Sequence, residues 1–328
     1  MDVLGAEDPL VAFTDAHREH RLLALRTSGT AGSPRTVVRT TESWMESFPH
    51  VSALLGIDSS SRVWVPGPIT ATMNLFAAAH ADWAGAALAT GPHDATHAHL
   101  TPWALRRELA TRPGDLAGLH VLTAGDRLER TTYDAARSVG AEVSHYYGAA
   151  ELSFVAWGDH ADALRPFPGV EVASRDGALW VRSPYTCQGY REDEHLLQRD
   201  AEGWVGVGDR GEVVDGFVRV HGRDGGITTG GATVLVADIE RPLREQTTGD
   251  LAVVGLPHAD LGEVVVAVVS RHDDVARLAS HARRVLDPAQ RPRRWLHLDP
   301  LPRNPTGKID RVALAAEVAA MAARGGDE

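Results

Sequence analysis

The amino-acid sequence predicts an α/β protein: a large N-terminal domain with a mostly parallel sheet plus a β-rich subdomain, followed by a small α/β C-terminal domain. Two observations predict this organisation. Up to residue 148, short apolar runs alternate with helical stretches, as is typical of a parallel sheet covered by helices. From residue 166, dipeptides such as Asp176-Gly177 and Asp215-Gly216 separate short strands, which indicates antiparallel hairpins.

The elements of the first domain follow from local patterns, after an irregular or helical lead-in over residues 1–20. Short apolar runs predict strands at 21–26, 35–40, 62–67, 118–125 and 141–148. Longer stretches with helical periodicity predict helices at 41–54, 71–80, 102–111 and 129–138. Thr40 or Thr41 is the expected N-cap of the first of these helices.

A glycine-rich segment divides the chain. Residues 224–231 contain four glycines in eight positions, which predicts a hinge between domains at 1–222 and 223–328. The second domain is expected to contain helices at 237–246 and 273–286, strands at 251–257 and 263–270, and then a short tail.

Composition limits the classes of function. The chain has 328 residues and a net charge of −11, so it is a poor candidate for binding nucleic acid. We expect no membrane span, because no run of eighteen apolar residues occurs. The first residues lack the pattern of a signal peptide, which favours the cytoplasm. One cysteine, Cys187, excludes an internal disulfide, and the 16 histidines show no zinc-binding spacing.

A loop rich in Gly, Ser and Thr follows the first strand. The segment TSGTAGSP (27–34) can turn its amide groups inward and cradle phosphate oxygens, with Arg35 as the adjacent cation. The GxxxxGK pattern of the Walker loop is absent. Taken alone, such a loop is more often a plain turn, so both interpretations stay open at this point.

The use of basic residues is uneven, because Lys308 is the one lysine among 33 basic residues. A compact ammonium differs from a guanidinium in hydration and reach, so a surviving lysine suggests a position where arginine will not serve. The alternative is chance. The sequence around Lys308 decides between these interpretations.

Five segments resemble, in the same order, the motifs of the adenylate-forming (AMP-binding) superfamily of acyl-CoA synthetases, firefly-type luciferases and peptide-synthetase adenylation domains. They are TSGTAGSPR (27–35), HYYGAAE (145–151), GWVGVGDRGEV (203–213), GRDGGITTGGATVLVADIE (222–240) and LPRNPTGKIDR (301–311). The last places Lys308 at the family's catalytic lysine. The chain is identified as a compact acyl-CoA synthetase-like member with a shortened N-terminal region.

The resemblance implies a role for each matching residue. Lys308 and Glu151 are the catalytic candidates, and Glu151 is also the expected ligand of magnesium. The candidates for binding ATP or AMP are Thr27, Ser28, Gly29, Thr30, Gly32, Arg35, Gly125, Tyr147, Gly148, Ala149, Asp209 and Arg223. The acid pocket is expected to include Thr72, Asn74, Ser153 and Phe154, and the hinge Asp224 and Gly225.

Three single positions and the hinge segment depart from the family pattern. Arg35 replaces the usual lysine and keeps its charge, whereas Ala150 and Val207 replace threonines and lose a hydroxyl each. The hinge segment is one residue shorter, with Gly225 and Gly226 where acidic residues are usual.

The resemblance implies ATP-dependent activation of a carboxylic acid to acyl-AMP, followed by transfer to a thiol, with coenzyme A as the favoured acceptor. The C-terminal domain would be a mobile lid that closes Lys308 over the first step. Three alternatives remain: loading of a carrier-protein thiol, o-succinylbenzoate–CoA ligation, suggested by TTGGATVL (228–235), and a degenerate non-catalytic homologue. The expected cofactors are ATP, Mg²⁺ and coenzyme A. Because the N-terminal region is shortened, a partner subunit that supplies the missing part stays open as an interpretation.

Overall fold

A computed structural model describes residues 1–26, 35–192, 197–223, 225–229, 232–258, 260–304 and 307–324. The chain divides into two compact units. The first contains the described residues up to Val220 together with Gly307 and Lys308, and the second contains those from His221 to Asn304 and from Ile309 onward. Each unit has hydrophobic clusters of its own.

The first unit is built on a sheet of seven strands, and its predicted mostly parallel character is confirmed. The strands are β3 (Arg62–Trp64), β4 (Ala87–Ala89), β5 (His97–Leu100), β6 (His120–Thr123), β7 (Glu142–Ala149), β8 (Ser153–Gly158) and β9 (Arg165–Pro166). Their order is β4-β3-β5-β6-β7-β8-β9. All pairings from β4 to β7 are parallel, and β8 and β9 continue the sheet in antiparallel fashion.

Apolar clusters cover the parallel sheet, as its buried strands require. The helices of this unit are α1 (Pro9–Arg18), α2 (Glu42–Met45), α3 (Phe48–Leu55), α4 (Thr72–Trp83), α5 (Pro102–Thr111) and α6 (Arg130–Ser138). Ala98 and Leu100 of β5 pack with Leu105 of α5. A second cluster contains Val63 of β3 and Leu75 of α4.

The single helix expected over 41–54 is in fact two helices, α2 and α3. Pro49 has no backbone N–H and cannot donate to the carbonyl four residues earlier, so a continuous helix is interrupted there. The same residue is well accommodated in the first turn of a new helix, which begins at Phe48. Thr41 precedes α2 but makes no capping hydrogen bond with its side chain, whereas Oγ1 of Thr40, the other expected cap, accepts from the Ser43 amide at 3.1 Å.

The β-rich part of the first unit consists of two smaller sheets. One contains β1 (Leu23–Arg26), β2 (Thr36–Arg39) and β12 (Gly189–Tyr190). The other contains β10 (Glu171–Arg175), β11 (Ala178–Arg182), β13 (Gln198–Arg199), β14 (Val205–Val214) and β15 (Phe217–Arg223), whose residues from His221 onward belong to the second unit. Both predicted turns are confirmed: Asp176 and Gly177 have φ of 51° and 76°, and Asp215 and Gly216 have 52° and 76°. Two successive positive φ values match the twist of a tight hairpin.

The second unit is an α/β body. Its elements are β16 (Gly226–Thr229), β17 (Ala232–Leu235), α7 (Val236–Arg244), β18 (Leu251–His258), β19 (Gly262–Val269), α8 (Asp274–Val285), β20 (Arg294–His297) and α9 (Arg311–Arg324). The expected short tail is wrong, because β20 pairs with β19 and α9 packs through Leu314 and Val318. The Asp310 carboxylate accepts from the first amides of α9, a capping signal that the sequence analysis missed.

In the described part of the chain, no helix combines the length and the apolar character needed to cross a membrane.

Three buried histidines of the first unit predict acid sensitivity. Burial lowers the pKa of His80 to about 4, of His99 to about 3 and of His145 to about 4. Protonation therefore favours the unfolded chain, in which these pKa values are about 6.5. The stabilising effect is complete above that value and is lost as the pH falls towards about 4 for His80 and His145 and towards about 3 for His99. Each histidine then contributes roughly 3–5 kcal/mol.

We therefore expect the urea concentration at the midpoint of unfolding to decrease when the pH is lowered from about 7.5 to about 4.5. The His99→Leu variant should lose less stability over this interval, because it removes one of the protonations. An equal midpoint at both pH values for the unaltered protein would contradict the prediction.

Candidate functional site

The site lies where the parallel strands of the first unit end. Strand β6 ends at Thr123, just before Gly125, and its neighbour β7 ends at Ala149. Carboxyl ends of adjacent parallel strands meet at one edge of a sheet, and open α/β sheets bind their ligands at this edge. The topology therefore brings the segments around Gly125 and Tyr147 together.

The chain's one lysine is located at this edge. Gly125 has φ of +91°, a conformation that side chains rarely adopt, and a Cβ placed on it would be 3.1 Å from Cε and 3.8 Å from Nζ of Lys308. Lys308 belongs to the first compact unit, although the residues that follow it belong to the second. The structure thus brings together Gly125 and Lys308, two residues that the sequence analysis assigned to the same site.

Gly307 brings the backbone before Lys308 close to the start of α5. It has φ of +82°, and a Cβ on it would be 3.0 Å from Cε3 of Trp103 and 3.4 Å from Oγ1 of Thr101. Thr101 caps α5 by accepting from the Ala104 amide at 3.2 Å. Sequence reasoning missed Trp103, and no motif could have indicated it.

Tyr147 and Asp209 form a direct hydrogen bond. The Tyr147 hydroxyl donates to Oδ2 of Asp209 at 2.6 Å. This hydrogen bond joins β7 to β14. Asp209 is 7% exposed. The two residues, both assigned by resemblance to binding ATP or AMP, are therefore neighbours.

Glu151 follows the end of β7, in the connection to β8. Its carboxylate is buried and accepts from the Tyr190 hydroxyl at 2.7 Å. Its backbone carbonyl accepts from the Cys187 amide at 2.7 Å. The Arg35 guanidinium is 5.2 Å from the centroid of the Tyr190 ring, so Tyr190 has contacts with both Glu151 and Arg35.

The β7–β8 hairpin explains the glycine of the HYYGAAE segment. A Cβ on Gly148 would be 2.1 Å from the backbone oxygen of Ser153, closer than any non-bonded contact allows. Ser153 itself has φ of +59°, and it pairs with Ala149 in the hairpin. Gly148 is therefore required by backbone packing, whatever its contact with a nucleotide.

The residues assigned to the acid pocket have different surroundings. Thr72 is the first residue of α4. Asn74, in the same helix, is buried, and its side-chain amide donates to the Pro68 carbonyl at 3.0 Å. Phe154 is buried among aromatic rings, with its centroid 4.2 Å from that of Tyr146 and 4.9 Å from that of Phe167. The assignment of these residues to the pocket stays a prediction.

Several assigned residues cannot be placed. Thr27, Ser28, Gly29, Thr30, Gly32 and Asp224 lie outside the described residues, and for Arg223 only the backbone is described, within β15. The carbonyl of Gly225 accepts from the Val236 amide at 3.0 Å.

Magnesium is the one metal that the resemblance implies. The described residues contain no group of three or more His, Cys, Asp or Glu able to hold a metal by themselves. A buried carboxylate on Glu151 nevertheless fits Mg²⁺, which proteins often hold through one or two carboxylates while substrate phosphates supply the other ligands.

The Tyr147–Asp209 contact yields a testable expectation. Tyr147→Phe removes one donor from a buried carboxylate, and we expect a loss of about 1–3 kcal/mol in stability together with weaker ATP binding. Thermal unfolding and calorimetric titration with ATP measure the two effects. Tyr133→Phe is the matched control, since Tyr133 interacts with Asp159 on another part of the unit. Equal ATP affinity in both variants would contradict the assignment of Tyr147.

Comparisons with known proteins show which proteins this chain resembles. Residues 243–308 match the model of the AMP-binding enzyme C-terminal domain. The uncharacterized acyl–CoA ligase YhfT of Bacillus subtilis is 27% identical over 344 residues, which are 94% of this chain and 70% of that protein. The 2-succinylbenzoate–CoA ligase of Escherichia coli is 31% identical over 227 residues, which are 67% of this chain and 50% of that protein.

A solved structure has the same fold. It is a variant of Escherichia coli MenE with bound OSB-AMS, with a TM-score of 0.79 and 27% identity, and the match covers 92% of this chain and 70% of that one. The chain is a member of the adenylate-forming superfamily. Within this superfamily it resembles proteins of the acyl-CoA synthetase type, and both the predicted family and the predicted fold are confirmed.

Proposed function

We propose that this chain activates a carboxylic acid with ATP and magnesium, forming acyl-AMP and pyrophosphate, and then transfers the acyl group to the thiol of coenzyme A with release of AMP. The observation that carries the proposal is the position of Lys308 beside Gly125, at the carboxyl edge of the parallel sheet. The same edge holds the end of β7, which carries Tyr147 and leads into Glu151.

The chemistry of the first step explains the need for cations there. A carboxylate attacks the α-phosphorus, so negative charge accumulates between two anionic reactants. The Lys308 ammonium would neutralise this charge and orient the attacking oxygen, and Arg35 would act on the phosphates that leave. A fixed cation in a partly buried site stabilises such charge far better than water does.

The nucleotide would be held by residues that the structure already brings together. Tyr147 offers an aromatic face for adenine, and Asp209 can accept both hydroxyls of the ribose. Glu151 would hold the magnesium ion, which, when bound, neutralises and orients the phosphates.

The second step needs access for the thiol. We propose that residues 223–328 form a mobile lid and that rotation about Asp224 and Gly225 withdraws Lys308 after acyl-AMP has formed. Support comes from the glycine content of this segment and from the division of the chain into two compact units. The reaction would take place in the cytoplasm, which supplies ATP and coenzyme A.

A second candidate concerns the identity of the acid. The 2-succinylbenzoate–CoA ligase of Escherichia coli and the MenE structure both resemble this chain, which favours 2-succinylbenzoate as a substrate to be tested first. Thr72, Asn74, Ser153 and Phe154 remain the proposed lining of the acid pocket.

Pyrophosphate exchange tests the proposal directly. Purified protein is incubated with ATP, labelled pyrophosphate and a panel of aliphatic and aromatic acids that includes 2-succinylbenzoate, and label entering ATP is measured. We expect exchange with at least one acid, and thioester formation with coenzyme A rather than with a phosphopantetheinyl carrier protein. Exchange followed by transfer to the carrier alone would reassign the acceptor, whereas no exchange with any acid would overturn the proposed function.

A further inference from the structure

The proposed mechanism does not use Arg39, a fully buried arginine of β2. Its guanidinium donates to the carbonyl of Ala150 at 2.8 Å and to that of Tyr185, and it also donates to Oγ of Ser43 at 2.9 Å. Burial lowers its pKa to about 10, so the group stays charged at neutral pH. A buried cation is tolerated where its donors are satisfied in this way.

The acceptors of Arg39 flank Glu151. Ala150 directly precedes Glu151, and Tyr185 lies two residues before Cys187, whose amide donates to the Glu151 carbonyl at 2.7 Å. One guanidinium therefore connects the segment that carries Glu151 to the segment that binds its backbone. The charge of Arg39 also interacts with the Glu151 carboxylate, which raises the pKa of Arg39 against the effect of burial.

The carboxylate itself is held by Tyr190. The hydroxyl of Tyr190 donates to Oε1 of Glu151 at 2.7 Å, and the backbone of Tyr190 pairs with Val37 in β2. Strand β2 also carries Arg39. The backbone and the carboxylate of Glu151 are thus fixed by two residues of the same three-stranded sheet.

We propose that Arg39 and Tyr190 are positioning residues that hold the Glu151 carboxylate in place for the magnesium ion of the bound triphosphate. Arg39 fixes the backbone around Glu151, and Tyr190 fixes its carboxylate. This inference rests on the proposed function. Partners that orient a metal ligand without touching the metal typically change metal affinity or activity 10–100-fold, so the effect is large enough to measure.

The test uses Mn²⁺ as a probe for Mg²⁺ and α,β-methylene-ATP as an unreactive nucleotide. Free Mn²⁺ is counted by electron paramagnetic resonance in the presence of the protein–nucleotide complex. We expect Tyr190→Phe to weaken Mn²⁺ binding about 10-fold, while affinity for the metal-free nucleotide stays unchanged. Tyr133→Phe, which removes a hydroxyl beside the Asp159 carboxylate, should leave Mn²⁺ affinity as in the unaltered protein.

Two substitutions test Arg39. Arg39→Lys keeps the charge but cannot reach all of the acceptors, so we expect weaker Mn²⁺ binding than in the unaltered protein. Arg39→Met also removes the charge and should show the larger loss. If Arg39→Met does not fold, the comparison of Arg39→Lys and Tyr190→Phe with the unaltered protein decides the inference.

Folded Tyr190→Phe and Arg39→Lys proteins with unchanged Mn²⁺ affinity would overturn the inference and leave the proposed function standing. Failure of the unaltered protein both to bind Mn²⁺ with the nucleotide and to exchange pyrophosphate would instead count against the proposed function. The two failures are therefore distinguishable.

Discussion

Lys308→Ala is expected to abolish the formation of acyl-AMP and to spare transfer of the acyl group from preformed acyl-AMP to the thiol. The ammonium beside Gly125 would act on charge that develops at the α-phosphate, and removal of one such group typically lowers the rate about 10²–10³-fold. Pyrophosphate exchange measures the first half-reaction, and thioester release from chemically prepared acyl-AMP measures the second.

Two further variants sharpen this experiment. Lys308→Arg keeps the charge but not the compact shape, so we expect most of the exchange activity to be lost as well. Arg283→Ala removes a cation from an exposed position of α8 and serves as the control. Unchanged exchange in Lys308→Ala, or an equal loss in both half-reactions, would contradict the role given to Lys308.

Gly148→Ala is expected to destabilise the first unit severely. The added methyl group would be 2.1 Å from the Ser153 carbonyl oxygen, which belongs to the backbone of the paired strand and cannot rotate away. Overpacking of this kind costs about 1–3 kcal/mol and occasionally more, and the backbone obstacle places this position at the upper end. Chemical denaturation of the purified variant measures the loss.

The matched control is Gly114→Ala. A Cβ at Gly114 would meet no atom within 4 Å, and its backbone does not have a positive φ. We expect this variant to unfold within about 0.5 kcal/mol of the unaltered protein. Comparable stability of Gly148→Ala and the unaltered protein would show that the β7–β8 hairpin can shift, and the explanation of Gly148 would then be wrong.

Sequence reasoning succeeded where local patterns decide the structure. The dipeptides Asp176-Gly177 and Asp215-Gly216 predicted both hairpin turns, because few other residues adopt positive φ twice in succession. The five motifs predicted the family, and their order along the chain made each weak match informative. Pro49 could have predicted the break between α2 and α3, since the rule that applies there is also local.

The residues that sequence reasoning missed depend on contacts between distant parts of the chain. Arg39 and Ala150 are 111 positions apart, and Tyr190 and Glu151 are 39 apart. An arginine in an apolar strand carries no signal about which carbonyls will surround it. Trp103 is similar, because its neighbour Gly307 comes from a remote segment.

The location of the chain's one lysine has a practical consequence for chemical labelling. Amine-reactive reagents have Lys308 as their sole side-chain target in this chain, and the other amine, at Met1, donates to the Leu22 carbonyl. Peptide mass spectrometry separates the two products. The rate of acylation at Lys308 thus becomes a site-specific reporter, and its change on addition of an adenylate analogue follows the occupancy of the site around Gly125 without any engineered tag.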